Sequence, residues 1–334
     1  MTEKGNRQIV VATLPKGRLG TEHFVMREGA PPQPAESEVL VRVRYISIDP
    51  ANRAWLQGTT YREAVKAGDV MPGYALGEVV ASRHPKLKEG DLVAGDCGWQ
   101  EYAVRPGGQL YRQPRIQPLT HLLSIYGITG LTAYFGLTEI GRPKPGETLV
   151  VSAAAGAVGS ITGQIGKIRG CRVVGIAGSD EKCAWLTGDL GFDAALNYKK
   201  ESVAHGLRRA CPEGIDIYFD NVGGEILEAA LFQTNAHGRV VCCGMVSGYD
   251  GELPQNGPRG IPGLLVIRRI TMCGFIVMDH QDRYAPAWKQ LAEWVAAGRI
   301  RVREDVIEGL ENTPRALVGL LHGENFGKRM VRVA

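Results

Sequence analysis

The chain has no excess of one charge and no long apolar run. Its 39 Lys and Arg residues nearly balance 35 Asp and Glu residues, giving a formal net charge of +4. Basic pairs such as Arg208-Arg209 and Arg268-Arg269 are short, whereas a nucleic-acid surface needs positive charge clustered on one face. No apolar stretch approaches the ~18–20 residues of a membrane-spanning helix. We therefore expect neither nucleic acid nor a membrane among the partners.

The seven cysteines form no disulfide framework and no C-x-x-C pair. An odd number of cysteines without pattern favours a reducing compartment. The polar N-terminus, MTEKGNRQIV, lacks the apolar segment of a secretory signal. These features predict a cytoplasmic protein.

A zinc motif is also missing. A catalytic zinc usually takes three Cys, His or carboxylate ligands. None of the seven histidines lies in an H-E-x-x-H frame, and Cys97 is the sole cysteine of the first 122 residues. His280 follows a strand with a buried pattern, and it is either a hydrogen-bonding residue near the site or an ordinary loop histidine. We predict no metal.

The pattern of apolar residues changes near residue 120, which indicates two domains in a chain of 334 residues. Before that point, short strands separated by Gly and Pro predict a compact, barrel-like β domain, with strands at residues 37–46, 77–82 and 91–94. A helix-like apolar stretch at 119–137 and a break at 141–146 follow.

Beyond the break, strands alternate with helices. The strands are near-continuous Val, Ile, Cys and Ala runs, at residues 148–156, 171–179, 214–224, 238–248 and 270–277. Such runs are typical of a parallel sheet covered by helices on both faces. The sequence predicts an α/β fold with residues 123–299 in this domain, and residues 1–122 and 300–334 in the β-rich one.

Residues 148–166 have the pattern of a dinucleotide-binding loop. A strand runs into Ala154-Ala155-Gly156-Ala157-Val158-Gly159, which is G-x-G-x-x-G with alanine in the first position, and a helix-like segment follows. Gly156 lets backbone N–H groups approach a pyrophosphate, and Gly159 lets the helix pack closely on the strand. The helix N-terminus at Ala157 and Val158 faces the anion with partial positive charge. The alternative is a tight Gly/Ala-rich turn without a ligand.

The end of the second strand separates NADP from NAD. An NAD site usually places a carboxylate there to bind the ribose 2′-hydroxyl, whereas this chain has Gly178-Ser179. The Ser179 hydroxyl and the Lys182 ammonium could hold a 2′-phosphate, with Tyr198 as a further candidate. Asp180 and Glu181 suit the start of a helix. We expect NADPH, although Lys182 could instead be a solvated surface lysine.

Together, nine segments resemble the zinc-free branch of the medium-chain dehydrogenase/reductase superfamily that includes prostaglandin, alkenal double-bond and curcumin reductases. They are SIDPANR (47–53), GWQEYAV (98–104), GITGLTAYFGL (127–137), VSAAAGAVGS (151–160), AGSDEK (177–182), FDNVGGE (219–225), CGMVSGYD (243–250), GFIVMDH (274–280) and EGLENTPRAL with GENFGKRMVRV (308–317, 323–333). The resemblance implies a Rossmann domain, with a doubly wound parallel sheet, joined to a GroES-like β-barrel catalytic domain.

The same resemblance implies NADPH-dependent reduction of the C=C bond of α,β-unsaturated aldehydes and ketones. It places Thr129 beside the nicotinamide and Ser179, Lys182 and Tyr198 at the 2′-phosphate. It implies further cofactor contacts at Asn221, Gly244 and Asn325, and an active-site role for Tyr249. It also implies a homodimer, because residues 274–280 match the strand through which relatives often dimerise.

The sequence departs from this family on the substrate side. Ala51 and Asn52 stand where the family has a Tyr-Met pair, Asp250 stands where Asn is usual, and residues 57–74 are unlike the family. We expect Asn52 and Tyr61 to contact the substrate, although Tyr61 could instead be a solvated loop residue. The departures leave the identity of the unsaturated substrate open.

The expected chemistry delivers a hydride to the β-carbon of an enone, while charge develops on the carbonyl oxygen. A phenol such as that of Tyr249 can donate a hydrogen bond to this oxygen; alternatively, Tyr249 only lines the cleft. Two other functions remain open at this point. One is quinone reduction, and the other is NADPH binding without catalysis, as in crystallin-like relatives.

Overall fold

The computed structural model describes residues 5–30, 32–60, 62–250 and 260–333. Its first part is rich in short strands, and the elements are β1 (Asn6–Val11), β2 (Phe24–Gly29), β3 (Glu38–Ser47), α1 (Ala51–Trp55), β4 (Tyr74–Ser82), β5 (Leu92–Asp96), β6 (Tyr102–Pro106), β7 (Tyr111–Arg112) and α2 (Ile128–Phe135). Strands alternate with helices in the second part, which has β8 (Thr148–Val151), α3 (Ala157–Ile168), β9 (Arg172–Ala177), α4 (Asp180–Gly188), β10 (Ala194–Asn197), α5 (Val203–Ala210), β11 (Ile215–Asp220), α6 (Gly224–Leu231), β12 (Thr234–Cys242), α7 (Ile261–Arg268), β13 (Thr271–Gly274) and α8 (Tyr284–Ala296). The chain ends with β14 (Glu304–Glu308), α9 (Thr313–Leu321) and β15 (Lys328–Arg332).

β3 organises the sheet of the first part. Its alternating sequence buries Val39, Val41 and Val43 completely in one core. β4 pairs with one edge of β3, while β6 and β15 pair with the two ends of the other edge. The end of the chain therefore joins the sheet that β3 to β7 form in the first part. Between β14 and β15 lies α9, a helix that the assignment of residues 300–334 to the β-rich domain did not predict.

The second part contains a parallel sheet with the strand order β10-β9-β8-β11-β12-β13. This is the doubly wound Rossmann order, so the predicted fold class is confirmed. The short strand β10 was missed because its four residues carry no extended apolar run. The segment 238–248 therefore contributes the fifth parallel strand in chain order, β12, and not the fourth.

Both faces of this parallel sheet are buried. Leu149 and Val151 of β8 lie in one apolar cluster, and Val150 between them lies in another on the opposite face. Because successive side chains of a strand point to opposite faces, a strand buried on both sides must be apolar throughout. That requirement produces the continuous Val and Ile runs seen in the sequence.

Two predicted elements differ from the structure. The apolar stretch 119–137 is not one helix: it begins with a short 3₁₀ turn at Leu119–Leu122, and the α-helix starts only at Ile128. β13 ends at Gly274, and the chain then forms 3₁₀ turns at Val277–Arg283 instead of continuing as a strand to residue 280. No helix in the described part of the chain combines the length and apolarity of a membrane span.

Candidate active site

The carboxyl ends of β8 and β11 form the crevice where the strand order reverses, which is where open α/β sheets bind ligands. Ser152 follows β8 and Asn221 follows β11. The Asn221 backbone N–H donates to Ser152 Oγ at 2.8 Å, and its side-chain amide donates to the Ser152 carbonyl at 2.8 Å. These bonds hold the two strand ends together and fix Asn221 at the floor of the crevice.

The glycine-rich loop joins β8 to α3. Ala153 adopts a left-handed conformation (φ 46°), and Gly156 is the extended residue before the first turn of α3. The first N–H groups of a helix have no partner within it, so Ala157, Val158 and Gly159 present donors and a positive dipole end towards the crevice. This geometry suits a pyrophosphate.

Gly159 makes the close packing of α3 possible. A Cβ atom at this position would stand 2.4 Å from the Ala153 carbonyl oxygen and 2.9 Å from Ala154 Cα. We expect Gly159→Ala to lower the free energy of unfolding by about 1–3 kcal/mol, as overpacking does. Thermal or urea unfolding would measure this. Gly188→Ala in α4 is the matched control, because a Cβ there meets nothing within 4 Å; equal stability of the two variants would contradict the packing argument.

The C-terminal segment returns to the glycine-rich loop. Gly327 N–H donates to the Ala155 carbonyl at 2.8 Å, and Gly156 and Gly327 form an isolated parallel bridge. Asn325 is buried nearby, with its amide donating to the Gly327 carbonyl at 2.9 Å. Backbone pairing of Gly327 with Ala155, more than 170 positions apart in the sequence, thus brings the predicted cofactor residue Asn325 to the loop.

The three residues predicted for the 2′-phosphate meet at the carboxyl ends of the neighbouring strands β9 and β10. Ser179 caps α4, with its hydroxyl accepting from the Lys182 backbone N–H at 3.2 Å. The Tyr198 ring lies against Gly178, where a Cβ atom would stand 3.1 Å from the ring and 3.2 Å from its hydroxyl. Gly178 is therefore needed for this approach, and an acidic residue there would displace Tyr198.

Lys182 is buried, which excludes the alternative of a solvated lysine. Its Nζ donates to the Gly323 carbonyl at 2.6 Å and lies 5.3 Å from the centre of the Phe326 ring. Burial lowers the pKa of Lys182, and the neighbouring cations Lys199 and Arg329 lower it further. A cation held among other cations in a partly dry site favours a multiply charged anion. Lys182 also connects α4 to the C-terminal segment.

Asp220, at the end of β11, was not recognised in the sequence. It is buried, and burial raises its pKa. Hydrogen bonds to its carboxylate oppose this effect, coming from the Tyr218 hydroxyl at 2.9 Å, the Val222 N–H at 3.0 Å and the Gly223 N–H at 2.9 Å. The carboxylate thereby shapes the turn that presents Asn221. An acidic residue directly after the buried apolar run Ile217–Phe219 and directly before N-V-G-G was the available signal.

Tyr249 lies where the chain leaves β12, after a 3₁₀ turn at Val246–Gly248. Its hydroxyl accepts from the Met245 N–H at 3.3 Å and would lie 3.7 Å from a Cβ on Gly244. Gly244 in turn donates its N–H to the Asp220 carbonyl at 3.1 Å. The phenol is thus held over the carboxyl end of the sheet beside Gly244. Since its oxygen accepts the Met245 N–H, its own proton is free to be donated.

Of the remaining predicted residues, Thr129 lies in the first turn of α2, buried, with its hydroxyl donating to the Ser124 carbonyl at 3.0 Å. Asn52 is 1% exposed, and its Oδ1 accepts the Asp49 N–H at 2.8 Å. Its side chain stabilises the turn that begins α1, and its contact with the substrate stays a prediction. Tyr61 lies outside the described residues. His280 stacks on Phe135 with ring centres 4.8 Å apart, as a packed residue at the end of the sheet.

The side chains present do not fit a zinc ion. Within residues 5–30, 32–60, 62–250 and 260–333, no three His, Cys, Asp or Glu side chains lie together as metal ligands. Cys97 is enclosed, and burial raises its pKa to about 12.

Comparison with known proteins is consistent with this geometry. A model described as the N-terminal domain of oxidoreductase matches residues 7–112, and one described as zinc-binding dehydrogenase matches residues 157–296. The chain is 43% identical to the NADPH-dependent curcumin reductase of Escherichia coli over 98% of its length and 97% of that protein. The chain belongs to the zinc-independent branch of the medium-chain dehydrogenase/reductase superfamily.

Two further relatives agree with this assignment. The chain is 42% identical to a 2-alkenal reductase (NADP⁺-dependent) of Nicotiana tabacum, covering 89% of this chain and 88% of that one. The crystal structure of CurA from Vibrio vulnificus in complex with NADPH superimposes with a TM-score of 0.93 at 42% identity, covering 98% of this chain and 99% of that one. Although the second matching model is described as zinc-binding, the described residues of this medium-chain reductase contain no set of side chains that could hold zinc.

Proposed function

We propose that this medium-chain reductase uses NADPH to reduce the C=C bond of α,β-unsaturated ketones or aldehydes. The observation that carries the proposal is the joint placement of a 2′-phosphate cluster and a free phenol at one edge of the parallel sheet. Ser179, Lys182 and Tyr198 form the cluster, and Tyr249 supplies the phenol. The names of the curcumin and 2-alkenal reductases support the substrate class.

When bound, NADPH supplies the hydride. The chain holds the pyrophosphate at the N-terminus of α3 and the 2′-phosphate at Ser179, Lys182 and Tyr198. Tyr249 then donates its hydroxyl proton in a hydrogen bond to the substrate carbonyl oxygen, where negative charge develops. Water, or the same hydroxyl with its phenolate then reprotonated by water, supplies the proton that adds to the α-carbon. We assign Thr129 to the nicotinamide end of the cofactor and Asn221 to a further contact with it.

The test is NADPH oxidation measured with a panel of enones, enals and quinones, followed by analysis of the products. We expect saturated ketones or aldehydes with the C=O bond retained, and faster turnover with NADPH than with NADH. Turnover of quinones alone would replace the proposal by quinone reduction. NADPH binding without turnover of any panel member would indicate a non-catalytic binding protein.

Activity is expected to survive EDTA and exhaustive dialysis, because the described residues offer no ligand set for a catalytic metal. The measurement is turnover before and after chelation, with elemental analysis of the purified protein. Stoichiometric zinc whose removal abolishes turnover would contradict this expectation.

We also propose a homodimer, formed through the free edge of β13 and the adjacent helix α7. Among the described strands, β13 ends the parallel sheet without an outer partner. No residue of α7 is buried, and its Val266 and Ile267 are 76% and 71% exposed. Exposed apolar side chains next to an open strand edge favour association.

Light scattering after gel filtration would give the mass of the assembly. Val266→Glu should shift the protein towards the monomer, whereas Tyr111→Glu, at an exposed position on the other sheet, should not. A monomeric wild type would overturn the dimer. We propose a cytoplasmic location as well, supported by seven free cysteines; localisation of a tagged chain would test it.

A further inference from the structure

The residue after Tyr249 is tied to the opposite side of the crevice. Asp250 Oδ1 accepts a hydrogen bond from Arg53 Nε at 3.1 Å and another from the Leu19 backbone N–H at 2.7 Å. Arg53 lies in α1, next to the seven-stranded sheet, and Leu19 is part of the apolar core of that sheet. Asp250 belongs to the segment that leaves β12 of the parallel sheet. The contact therefore spans the two sheets.

The contact is buried on the Arg53 side and largely shielded from solvent on the Asp250 side. The Arg53 and Asp250 side chains are 2% and 11% exposed. Arg53 Nη2 donates to the Gly17 carbonyl at 2.7 Å, and Nη1 has no hydrogen-bond partner among the described residues. A buried guanidinium with an incomplete set of partners depends strongly on the carboxylate it has, because loss of that carboxylate leaves a desolvated charge.

We propose that Asp250 is a positioning residue for Tyr249, with Arg53 and the Leu19 amide as its anchors. The proposal rests on the proposed function, in which the Tyr249 phenol donates to the substrate carbonyl. Among the described residues, the Tyr249 hydroxyl has one hydrogen bond, from the Met245 N–H at 3.3 Å, which is longer than usual and orients the ring only weakly. The neighbouring Asp250 supplies the rigid attachment, since Arg53 lies in α1 and Leu19 is buried in the core of the seven-stranded sheet.

Asp250→Ala is expected to lower kcat about five- to ten-fold, because displacing a catalytic group by 1 Å can cost up to about 10²-fold in rate. The KM for NADPH should stay unchanged, since Asp250 is remote from the 2′-phosphate cluster. Asp250→Asn keeps the Oδ1 acceptor for Arg53 Nε and the Leu19 N–H but removes the charge, so it should lower the stability and keep kcat within about two-fold of the wild type. Asn also remains informative if the alanine variant does not fold.

The decisive experiment is a double-mutant cycle with Tyr249→Phe. If Asp250 acts through the phenol, Asp250→Ala should change kcat by less than about two-fold once the hydroxyl is gone. An equal loss in both backgrounds, or no loss in the wild-type background, would overturn the positioning role. Wild-type kcat in Tyr249→Phe alone would instead refute the catalytic assignment of Tyr249, so the two failures are distinguishable.

Glu147→Ala is the matched control for loss of a half-buried ion pair. Glu147 pairs with Arg239, with an Oε1–Nη1 distance of 3.0 Å, and lies at the amino end of β8, away from the crevice. We expect this variant to lose stability in thermal unfolding and keep its kcat. A fall in kcat equal to that of Asp250→Ala would show that destabilisation alone explains the effect, and would also overturn the proposal.

Discussion

Tyr249→Phe is expected to lower kcat by about 10²–10³-fold at most, the range found when a donor to a developing oxyanion is removed. The substitution keeps the ring and removes one donor, whose proton is free because the oxygen already accepts the Met245 N–H. Since the hydrogen bond strengthens in the transition state, kcat should fall more than KM rises. Steady-state kinetics on several enones would measure the change.

NADPH affinity provides the internal control for this substitution. Tyr249 lies at the end of β12, whereas the 2′-phosphate cluster lies at the ends of β9 and β10. Titration of NADPH should therefore give the same Kd for the wild type and for Tyr249→Phe. A Phe variant with wild-type kcat would show that Tyr249 only lines the pocket. The nicotinamide ribose hydroxyl would then be the main hydrogen-bond donor to the substrate carbonyl oxygen.

Lys182→Ala is expected to raise the KM for NADPH about ten-fold or more, because a charge-assisted hydrogen bond contributes ~1.5–3 kcal/mol. The measurement compares NADPH and NADH in the same assay. NADH lacks the 2′-phosphate, so its kinetic parameters should hardly change. A wild type that used both cofactors equally well would contradict the assignment of the cluster.

The structure adds a refinement to this prediction. Lys182 Nζ also donates to the Gly323 carbonyl, so alanine removes an anchor of the C-terminal segment as well as a charge. Any rise in the KM for NADH would measure the loss of this anchor, because both cofactors need the segment that carries Asn325. Lys199→Ala is a useful comparison, since Lys199 is a neighbouring cation whose Nζ lies over the Tyr198 ring at 6.0 Å. We expect its effect to be smaller.

Asp250 shows how a departure from a family pattern gains meaning in three dimensions. In the sequence, Asp250 is a carboxylate where the family usually has Asn, and this departure left the identity of the substrate open. In the structure, it faces Arg53 and completes an ion pair. The charge compensates a buried guanidinium, so the departure is explained by the local electrostatics and leaves the substrate class unchanged.

The sequence by itself determined the parallel sheet, the glycine-rich loop and the cluster around Ser179. These features depend on short-range chemistry: apolar runs for strands buried on both faces, Gly159 for close packing, and a hydroxyl before the first turn of α4. The strand β10 was not predicted, because four residues are too few to show a strand-like pattern of apolar side chains. The sequence could not show that Asn52 is buried, because a polar residue in a substrate-side motif gives no sign of its burial.

Only the tertiary structure decided which distant segments meet. It brought Gly327 to Ala155, Gly323 to Lys182, and Arg53 to Asp250. Asp220 likewise accepts a hydrogen bond from Ser152 Oγ, 68 positions away in the sequence, at 3.2 Å. Such contacts satisfy buried polar groups across the crevice, and their partners are fixed by the packing of two sheets. Local periodicity carries no record of that packing, because the partners are far apart in the sequence. Lys182 and Gly323 are separated by 141 positions, and Arg53 and Asp250 by 197.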